Sequence, residues 1–324
     1  MPRGRKLVKT IELEDCSIST AAEEFFRHNQ IKGLAEDTQK AYKGYIGCFV
    51  KWCGYNMSMS EISTKTFDDY ICKKADDGNK PVSIATTMVH IRRFIRFCAS
   101  RGYCENFEIT IPKFEKVLKE PYTSEEMNLL LAKPTSNSWV EYRNWVMINY
   151  FFSTGQRLST VLNIKVAHLD LDQSRVLLSW NKDKLQKYMP LSTALVKILK
   201  EYIVLSDLQE QDFLFPEYEN GQLHRRSAED SIADYNRKRG VSKTSIHLLR
   251  HTFSKNYILN GGSPAKLQKL LNHKSIEQTM KYVNLYGDDI SQDLDLYNPL
   301  DVFKKNYRPV KRKVIVLEDK IHEA

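Results

Sequence analysis

An aperiodic stretch at residues 105–118 divides the 324-residue chain into two segments with helical patterns. Pro112 lies within this stretch and Pro121 follows it, and a proline disfavours helix in the residue before it. We therefore predict an extended linker between two domains. Thr123 and Glu126 have the spacing of a helix capping box, so a second domain is predicted to begin at about residue 119.

Before the linker, residues 18–104 carry apolar side chains at helical spacing, which predicts an all-α module of four helices. One predicted helix buries a single face, made of Ile84, Met88, Ile91, Ile95 and Cys98. A second buried stripe is predicted at Ala41, Tyr45, Cys48 and Trp52. The outer faces are basic, which fits either a DNA-binding surface or an ordinary solvated helical surface.

After the linker, residues 119–300 predict a mostly helical domain with one small sheet. Val176, Leu178 and Trp180 alternate as in a strand, and a polar turn at 181–187 leads to a return strand at 188–191. A central helix is predicted at 246–259, stopped by two glycines. The predicted fold class is mainly α with a small β-sheet (α+β).

Both termini are predicted to lie outside these domains. Residues 1–17 form a basic N-terminal segment, and residues 301–324 form a tail with an isolated β-prone run, Val314–Leu317. This run could add to a sheet edge, either that of its own chain or that of a neighbouring protomer. We expect no separate DNA-binding domain before residue 18.

Charge and composition restrict the partners and the cellular location. The net charge of +9 and the pI of about 9.0 favour a polyanionic partner, although charge alone is weak evidence. We find neither a membrane-length apolar run nor the apolar core of a signal peptide, so a cytoplasmic protein without membrane contact is predicted. The six cysteines lack zinc-site spacing and are predicted to be reduced and packed as small hydrophobes.

A compact polar cluster lies near the end of the second domain. His247 and Arg250 are one helical turn apart, His273 follows, and Tyr282 comes nine residues later. Cleaving a DNA strand without a metal requires fixed cations for the phosphate, a nucleophile and a proton donor, and this cluster offers candidates. A lone H-x-x-R pair is more often an ordinary surface pair. His251 is set aside, because it is expected to point about 100° round the helix.

Taken together, the motifs resemble those of the tyrosine recombinases, the family of phage integrases and Xer-type recombinases. The matching segments, in chain order, are Thr154–Ser159 with Arg157, Asn181–Leu191 with Lys182, His247–Arg250, Leu271–His273 and Tyr282. Leu271-Asn272-His273 has asparagine where the family has glycine, and Thr160 stands where the family commonly has an acidic residue. The order and spacing of six residues carry the resemblance.

The resemblance implies a role for each catalytic candidate. Tyr282 would be the nucleophile, preferred over Tyr286, and His247 would handle its proton. Lys182, or else Lys184, would protonate the leaving oxygen. The positive charges on the phosphate would come from Arg157 and Arg250, assisted by His273. No metal and no nucleotide cofactor is implied.

The resemblance also implies the partners. Residues 18–104 would be a core-binding domain and residues 119–300 the catalytic domain of a C-shaped clamp on double-stranded DNA. The expected DNA contacts are Lys40, Lys43, Arg92, Arg93, Arg96, Lys184 and Lys187. The implied function is site-specific recombination by a tetramer on two DNA sites, for integration, excision or transposition of a mobile element. Alternatives are a type IB topoisomerase and a DNA-binding protein with weakened catalysis.

Overall fold

The computed structural model describes residues 16–114, 120–178, 186–218 and 221–286. The chain divides into two compact units, residues 1–118 and 119–324. Assigning these units as a core-binding and a catalytic domain stays a prediction. The predicted tail at 301–324, with its β-prone run, lies outside the described residues, as does the N-terminal segment up to residue 15. No helix within the described ranges is both long and apolar enough to span a bilayer.

Four helices form the N-terminal unit, and their ends follow from local sequence. They are α1 (Ile18–Ile31), α2 (Glu36–Cys53), α3 (Thr64–Asp76) and α4 (Pro81–Arg101). Ser17 caps α1 by accepting a hydrogen bond from the Thr20 backbone N–H. Pro81 occupies the first turn of α4, where its missing N–H costs nothing, and Gly102 ends that helix at a left-handed φ of 83°.

The buried face of α4 is confirmed, whereas the predicted stripe on α2 is wrong. The five residues predicted for this face are all buried, namely Ile84, Met88, Ile91, Ile95 and Cys98. On α2 the buried residues are Tyr42, Ile46, Phe49 and Val50. Tyr42 packs edge-on against Phe25 of α1, and Phe49 does so against Tyr70 of α3, with ring centroids 5.1 and 5.0 Å apart. These aromatic contacts turn α2 by about one residue from the predicted face.

The same rotation affects the cysteines. Cys98 and Cys104 are buried, as predicted for small hydrophobic side chains. Cys48, on the solvent side of α2, and Cys72, on α3, are exposed. The prediction that all six cysteines are packed in the interior is therefore wrong for these two.

The second unit contains eight helices and three strands within its described residues. They are α5 (Ser124–Leu131), α6 (Trp139–Thr154), α7 (Leu158–Val161), β1 (Leu169–Asp170), β2 (Arg175–Leu178), β3 (Lys187–Pro190), α8 (Thr193–Leu205), α9 (Arg225–Lys238), α10 (Ile246–Leu259), α11 (Pro264–Leu271) and α12 (Glu277–Tyr286). The strands form one antiparallel sheet in the order β1-β2-β3, with Val176 opposite both Leu169 and Met189. This confirms the predicted mainly α fold with a small sheet.

The core of this unit surrounds α6, which is buried on nearly all sides. Trp145, Ile148 and Phe151 are at most 5% exposed. Helix α10 packs directly against α6. Because a close-packed core resists displacement, the side chains that leave α10 hold fixed positions.

The start of the unit is tied to α10 by hydrogen bonds. The Tyr122 backbone N–H donates to Thr252 Oγ1 at 3.0 Å, and the Tyr122 hydroxyl contacts the carbonyl oxygens of Lys243 and Ser245 at 3.2 and 3.3 Å. Lys243 Nζ donates to Pro121 O and to Glu126, both at 2.9 Å. Glu126 also completes the predicted capping box, which is confirmed. The chain entering this unit is therefore fixed to the helix that carries His247 and Arg250.

Candidate active site

Arg250 is a buried cation whose hydrogen bonds go to neutral groups. It is 3% exposed, and its Nη1 and Nη2 atoms donate to Gly155 O at 2.7 Å and Leu271 O at 2.9 Å. Burial, followed by repulsion from Arg157, lowers the pKa of Arg250 to about 10, so it remains charged at neutral pH. Since carbonyl oxygens do not neutralise the charge, an anion placed beside it would be strongly stabilised.

Arg157 reaches the same place from the turn after α6. It precedes α7, and its Nη1 contacts Asn272 O at 3.5 Å. The neighbouring Gln156 is buried and donates from Nε2 to Leu270 O at 2.8 Å. The arginine-bearing turn and the end of α11 are thereby joined by direct hydrogen bonds.

His273 lies just beyond α11 and beside both arginines. Its Nδ1 is 2.8 Å from the hydroxyl oxygen of Thr279. Burial, then the charges of Arg250 and Arg157, lower the pKa of His273 to about 4, so the ring is neutral at pH 7. Asn272 adopts a left-handed φ of 52° at the helix end. Asparagine tolerates this conformation better than most residues, which explains why it can replace glycine here.

Tyr282 is buried at the centre of α12. It is 8% exposed and packs against Leu267 and Leu271 of α11. Its hydroxyl forms a hydrogen bond of 2.9 Å with Nδ1 of His251. Burial raises the pKa of Tyr282, while a hydrogen bond with Ser254 and the charge of Arg250 oppose the rise. The hydroxyl is therefore protonated at rest, and His251 is the imidazole beside it.

The expectation that His251 points away from the site is wrong. His247 and His251 are four residues apart on α10, which places them on one face. Their rings lie edge to face with centroids 4.7 Å apart. This i, i+4 spacing was the sequence signal that could have placed His251 beside His247. His251 contacts the nucleophile candidate, whereas His247 is exposed at the mouth of the site.

A cavity of about 720 Å³ opens in front of the arginines and is lined by Arg157, His247 and Arg250. Its opposite wall is α9, which contributes Arg225, Arg226 and Arg237, residues that the sequence prediction missed. Arg225 and Arg226 form exposed i, i+4 ion pairs with Glu229 and Asp230. Three arginines on one helix were a weak signal, because such charge patterns usually mark a solvated face.

The other predicted residues lie elsewhere. Lys182 and Lys184 are outside the described residues. Lys187 begins β3 and donates from Nζ to Lys269 O at 2.5 Å. On the N-terminal unit, Lys40 pairs with Glu36 on the surface. Of the remaining predicted DNA contacts, Lys43, Arg93 and Arg96 are exposed and Arg92 is partly buried.

The described residues contain no group of three or more histidine, cysteine, aspartate or glutamate side chains placed to hold a metal ion. The site brings together two guanidinium groups, a neutral imidazole, and a phenol that is hydrogen-bonded to a second imidazole. The arginines suit a phosphate, because planar guanidinium groups bind two oxygens at once. The phenol suits nucleophilic attack at that phosphate.

The chain is similar to known proteins both in sequence and in fold. The chain is 26% identical to the tyrosine recombinase XerD of Staphylococcus haemolyticus over 300 residues, covering 87% of this chain and 99% of that one. A Tn1549 transposon integrase in complex with transposon right end DNA superimposes with a TM-score of 0.70 at 13% identity, over 82% of this chain and 94% of that one. A lambda integrase tetramer bound to a Holliday junction gives 0.67 at 15% identity, over 83% and 77%.

The strongest assignment comes from the family comparison. The model of the phage integrase family matches residues 121–288, which is more than half of the 324-residue chain. The match spans Arg157, His247, Arg250, His273 and Tyr282. The chain therefore belongs to the phage integrase family.

Proposed function

We propose that this protein is a site-specific DNA recombinase that cuts and rejoins duplex DNA through a 3′-phosphotyrosyl intermediate. The observation that carries the proposal is the convergence of Arg157, Arg250 and His273 from separate elements onto one site beside Tyr282. Its relative from Staphylococcus haemolyticus is named a tyrosine recombinase, and the likeness spans nearly all of that protein.

In the proposed reaction the arginines act first. Negative charge on the non-bridging phosphate oxygens grows as the tyrosine oxygen approaches phosphorus. Arg250 is already fixed by two carbonyl oxygens, so it meets this charge without reorganising. Arg157 adds a second guanidinium from the turn between α6 and α7, and neutral His273 donates one hydrogen bond.

The nucleophile must lose a proton in the same step. Tyr282 Oη bonds to phosphorus, the bond from phosphorus to the 5′ oxygen breaks, and the Tyr282 proton leaves. In the present arrangement the Tyr282 hydroxyl is hydrogen-bonded to His251 Nδ1 at 2.9 Å, so this nitrogen is placed to accept the proton. His247 lines the cavity on the arginine side, and its predicted role in proton transfer stays a prediction. The leaving 5′ oxygen takes a proton, which we assign to Lys182.

The proposal includes duplex DNA as partner and a tetramer on two DNA sites. The lambda integrase whose fold this chain shares forms a tetramer on a Holliday junction. We propose that the N-terminal unit contributes phosphate contacts from Lys43, Arg93 and Arg96, which are exposed cations. A substrate of this kind is also consistent with the predicted cytoplasmic location.

A nicked suicide substrate tests the chemistry directly. The wild-type chain is expected to form a covalent protein–DNA adduct, and Tyr282→Phe should form none. Arg157→Lys is expected to lose most of the activity, because a point charge cannot replace the planar guanidinium fork. No adduct with the wild type, or an adduct with Tyr282→Phe, would show that the proposal is wrong.

Two further measurements define the role. Relaxation of a supercoiled plasmid that lacks a cognate site would favour a type IB topoisomerase over a recombinase. Sequencing of the DNA junctions formed in the native host would test the predicted integration, excision or transposition of a mobile element. If all junctions came from the same pair of chromosomal sites, the mobile-element role would be wrong.

A further inference from the structure

We propose that Thr279 is a positioning residue that fixes the tautomer of His273, placing its ring proton on Nε2 where it can be donated to the substrate phosphate. This inference rests on the proposed function, since it deepens the role of one residue in that site. It assigns to Thr279 a task that the sequence motifs do not include.

The geometry limits what His273 can do. Its Nδ1 is bonded to Thr279 Oγ1 at 2.8 Å, so Nε2 is the ring nitrogen left to face a ligand. Arg250 and Arg157 are its charged neighbours, and a positively charged imidazole beside these two guanidinium groups is disfavoured. The imidazole is therefore neutral at pH 7 and carries a single N–H.

A neutral imidazole must place that proton on one of its two nitrogens. If the Thr279 hydroxyl donates to Nδ1, the proton lies on Nε2 and can be donated to a phosphate oxygen. If instead Nδ1–H donates to Thr279, Nε2 becomes an acceptor and would repel that oxygen. Only the first arrangement leaves Nε2 able to donate to an anion beside the two arginines. The proposed role of Thr279 therefore requires that its hydroxyl donates to Nδ1.

The position of Thr279 suits this task. It is fully buried, so water does not compete for its hydroxyl. It also lies three residues before Tyr282 on α12, which places both side chains on one face of that helix. A single helix thereby holds the nucleophile and orients the histidine that contacts the same phosphate.

The tautomer can be measured without any reaction. Protein labelled with ¹⁵N-histidine gives ring-nitrogen signals that distinguish protonated from unprotonated nitrogen, and His273→Asn identifies which signals belong to His273. In the DNA-free protein, where no phosphate can select the tautomer, the wild type and Thr279→Ser are expected to show the proton on Nε2. Thr279→Val, which keeps the shape but lacks the hydroxyl, should show a mixture of tautomers.

Reaction rates provide the second measurement. Thr279→Val is expected to slow covalent-adduct formation by about ten- to a hundredfold, the usual loss when a partner that orients an active-site histidine is removed. Thr279→Ser should stay within about threefold of wild type, because its hydroxyl can make the same hydrogen bond. Thr87→Val is the matched control, a buried threonine of α4 whose hydroxyl donates to Ser83 O at 2.9 Å. This control should not change the rate.

The outcomes separate the two proposals. A wild-type spectrum with the proton on Nδ1 overturns the role of Thr279, and so does an unchanged Nε2 tautomer in Thr279→Val. These results do not depend on catalysis, and a wild-type proton on Nδ1 overturns the role of Thr279 even if Thr279→Val fails to fold. Absence of any adduct with the wild type instead overturns the proposed function.

Discussion

At the scale of single residues, the contact between Tyr282 and His251 has a direct consequence for the rate. His251→Asn keeps a side-chain amide near the position of Nδ1, whereas His251→Leu removes the hydrogen bond to the Tyr282 hydroxyl. We expect His251→Leu to slow adduct formation on the nicked substrate by roughly tenfold or more, because an oriented nucleophile is lost. His251→Asn should retain most of the wild-type rate.

The same experiment distinguishes the two histidines of α10. His247→Leu is the comparison, because His247 lines the cavity on the arginine side, whereas His251 is hydrogen-bonded to the Tyr282 hydroxyl. If His251→Leu and His251→Asn react equally fast, the hydrogen bond seen in the free chain has no role in presenting the nucleophile.

His273 provides a second prediction, for stability against pH. Its pKa is about 4 in the folded chain and near the ordinary 6.5 when unfolded. Between these values the unfolded state binds more protons, so stability is lost as the pH falls from 6.5 to 4. The side chain is partly solvated, so screening limits the expected contribution to about 1 kcal/mol.

Calorimetric unfolding of wild type and His273→Asn at several pH values measures this contribution. The variant should start less stable near pH 7, since it loses the bond to Thr279, and its unfolding temperature should fall less steeply toward pH 4. Parallel curves for the two proteins would mean that His273 is not held neutral by its surroundings.

At the scale of elements, the turn from α6 into α7 sets where the arginines meet. Gly155 ends α6 at a φ of +60°, and its carbonyl oxygen holds Arg250. A Cβ at this position would lie 2.4 Å from Phe253 Cδ1 and 2.8 Å from Leu271 Cδ2. Gly155→Ala is therefore expected to lower the free energy of unfolding by roughly 2–4 kcal/mol, from left-handed strain and overpacking together.

A glycine in open space is the control. Gly47 lies inside α2, and a Cβ there would meet nothing within 4 Å. Gly47→Ala should raise the free energy of unfolding by roughly 0.5–1 kcal/mol, the usual gain in helix propensity. Denaturant unfolding of both variants tests the contrast. Equal effects would mean that the turn at Gly155 can relax without disturbing the arginines.

Elements were predictable where local sequence decides them. The central helix was predicted at 246–259 and is found at Ile246–Leu259, because apolar spacing and the following glycines are local signals. The two-residue strand β1 was missed, since so short a segment has no period of its own and exists only by pairing with β2. On α2, distant aromatic partners chose the buried face, which local spacing alone could not reveal.

At the scale of the whole molecule, the candidate site was predictable because its motifs are separated in sequence but strict in order. The structure brings Arg157 to Arg250 and His273, as the resemblance implied. The bonds of His251, Gln156 and Thr279 could not be predicted in the same way, because they depend on how α10, α11 and α12 pack. Their residue types have many ordinary structural uses.

The exposed arginines of the N-terminal unit lead to a prediction for the salt dependence of DNA binding. Arg93 and Arg96 are exposed on α4 and three residues apart, so they share one face. If both contact phosphates, neutralising them to glutamine removes two sites of counterion release. The slope of log Kd against log salt should then fall in magnitude by about 2, with weaker binding at low salt for any duplex sequence.

Net charge alone also affects DNA binding, so the control must lose the same charge elsewhere. Lys197→Gln with Lys200→Gln serves this purpose, because both lysines are exposed on α8 of the other unit. Long-range attraction falls equally in the two double variants, whereas only direct contacts release bound counterions. A clear difference in slope would therefore assign α4 to the DNA interface, and identical slopes would exclude Arg93 and Arg96 from it.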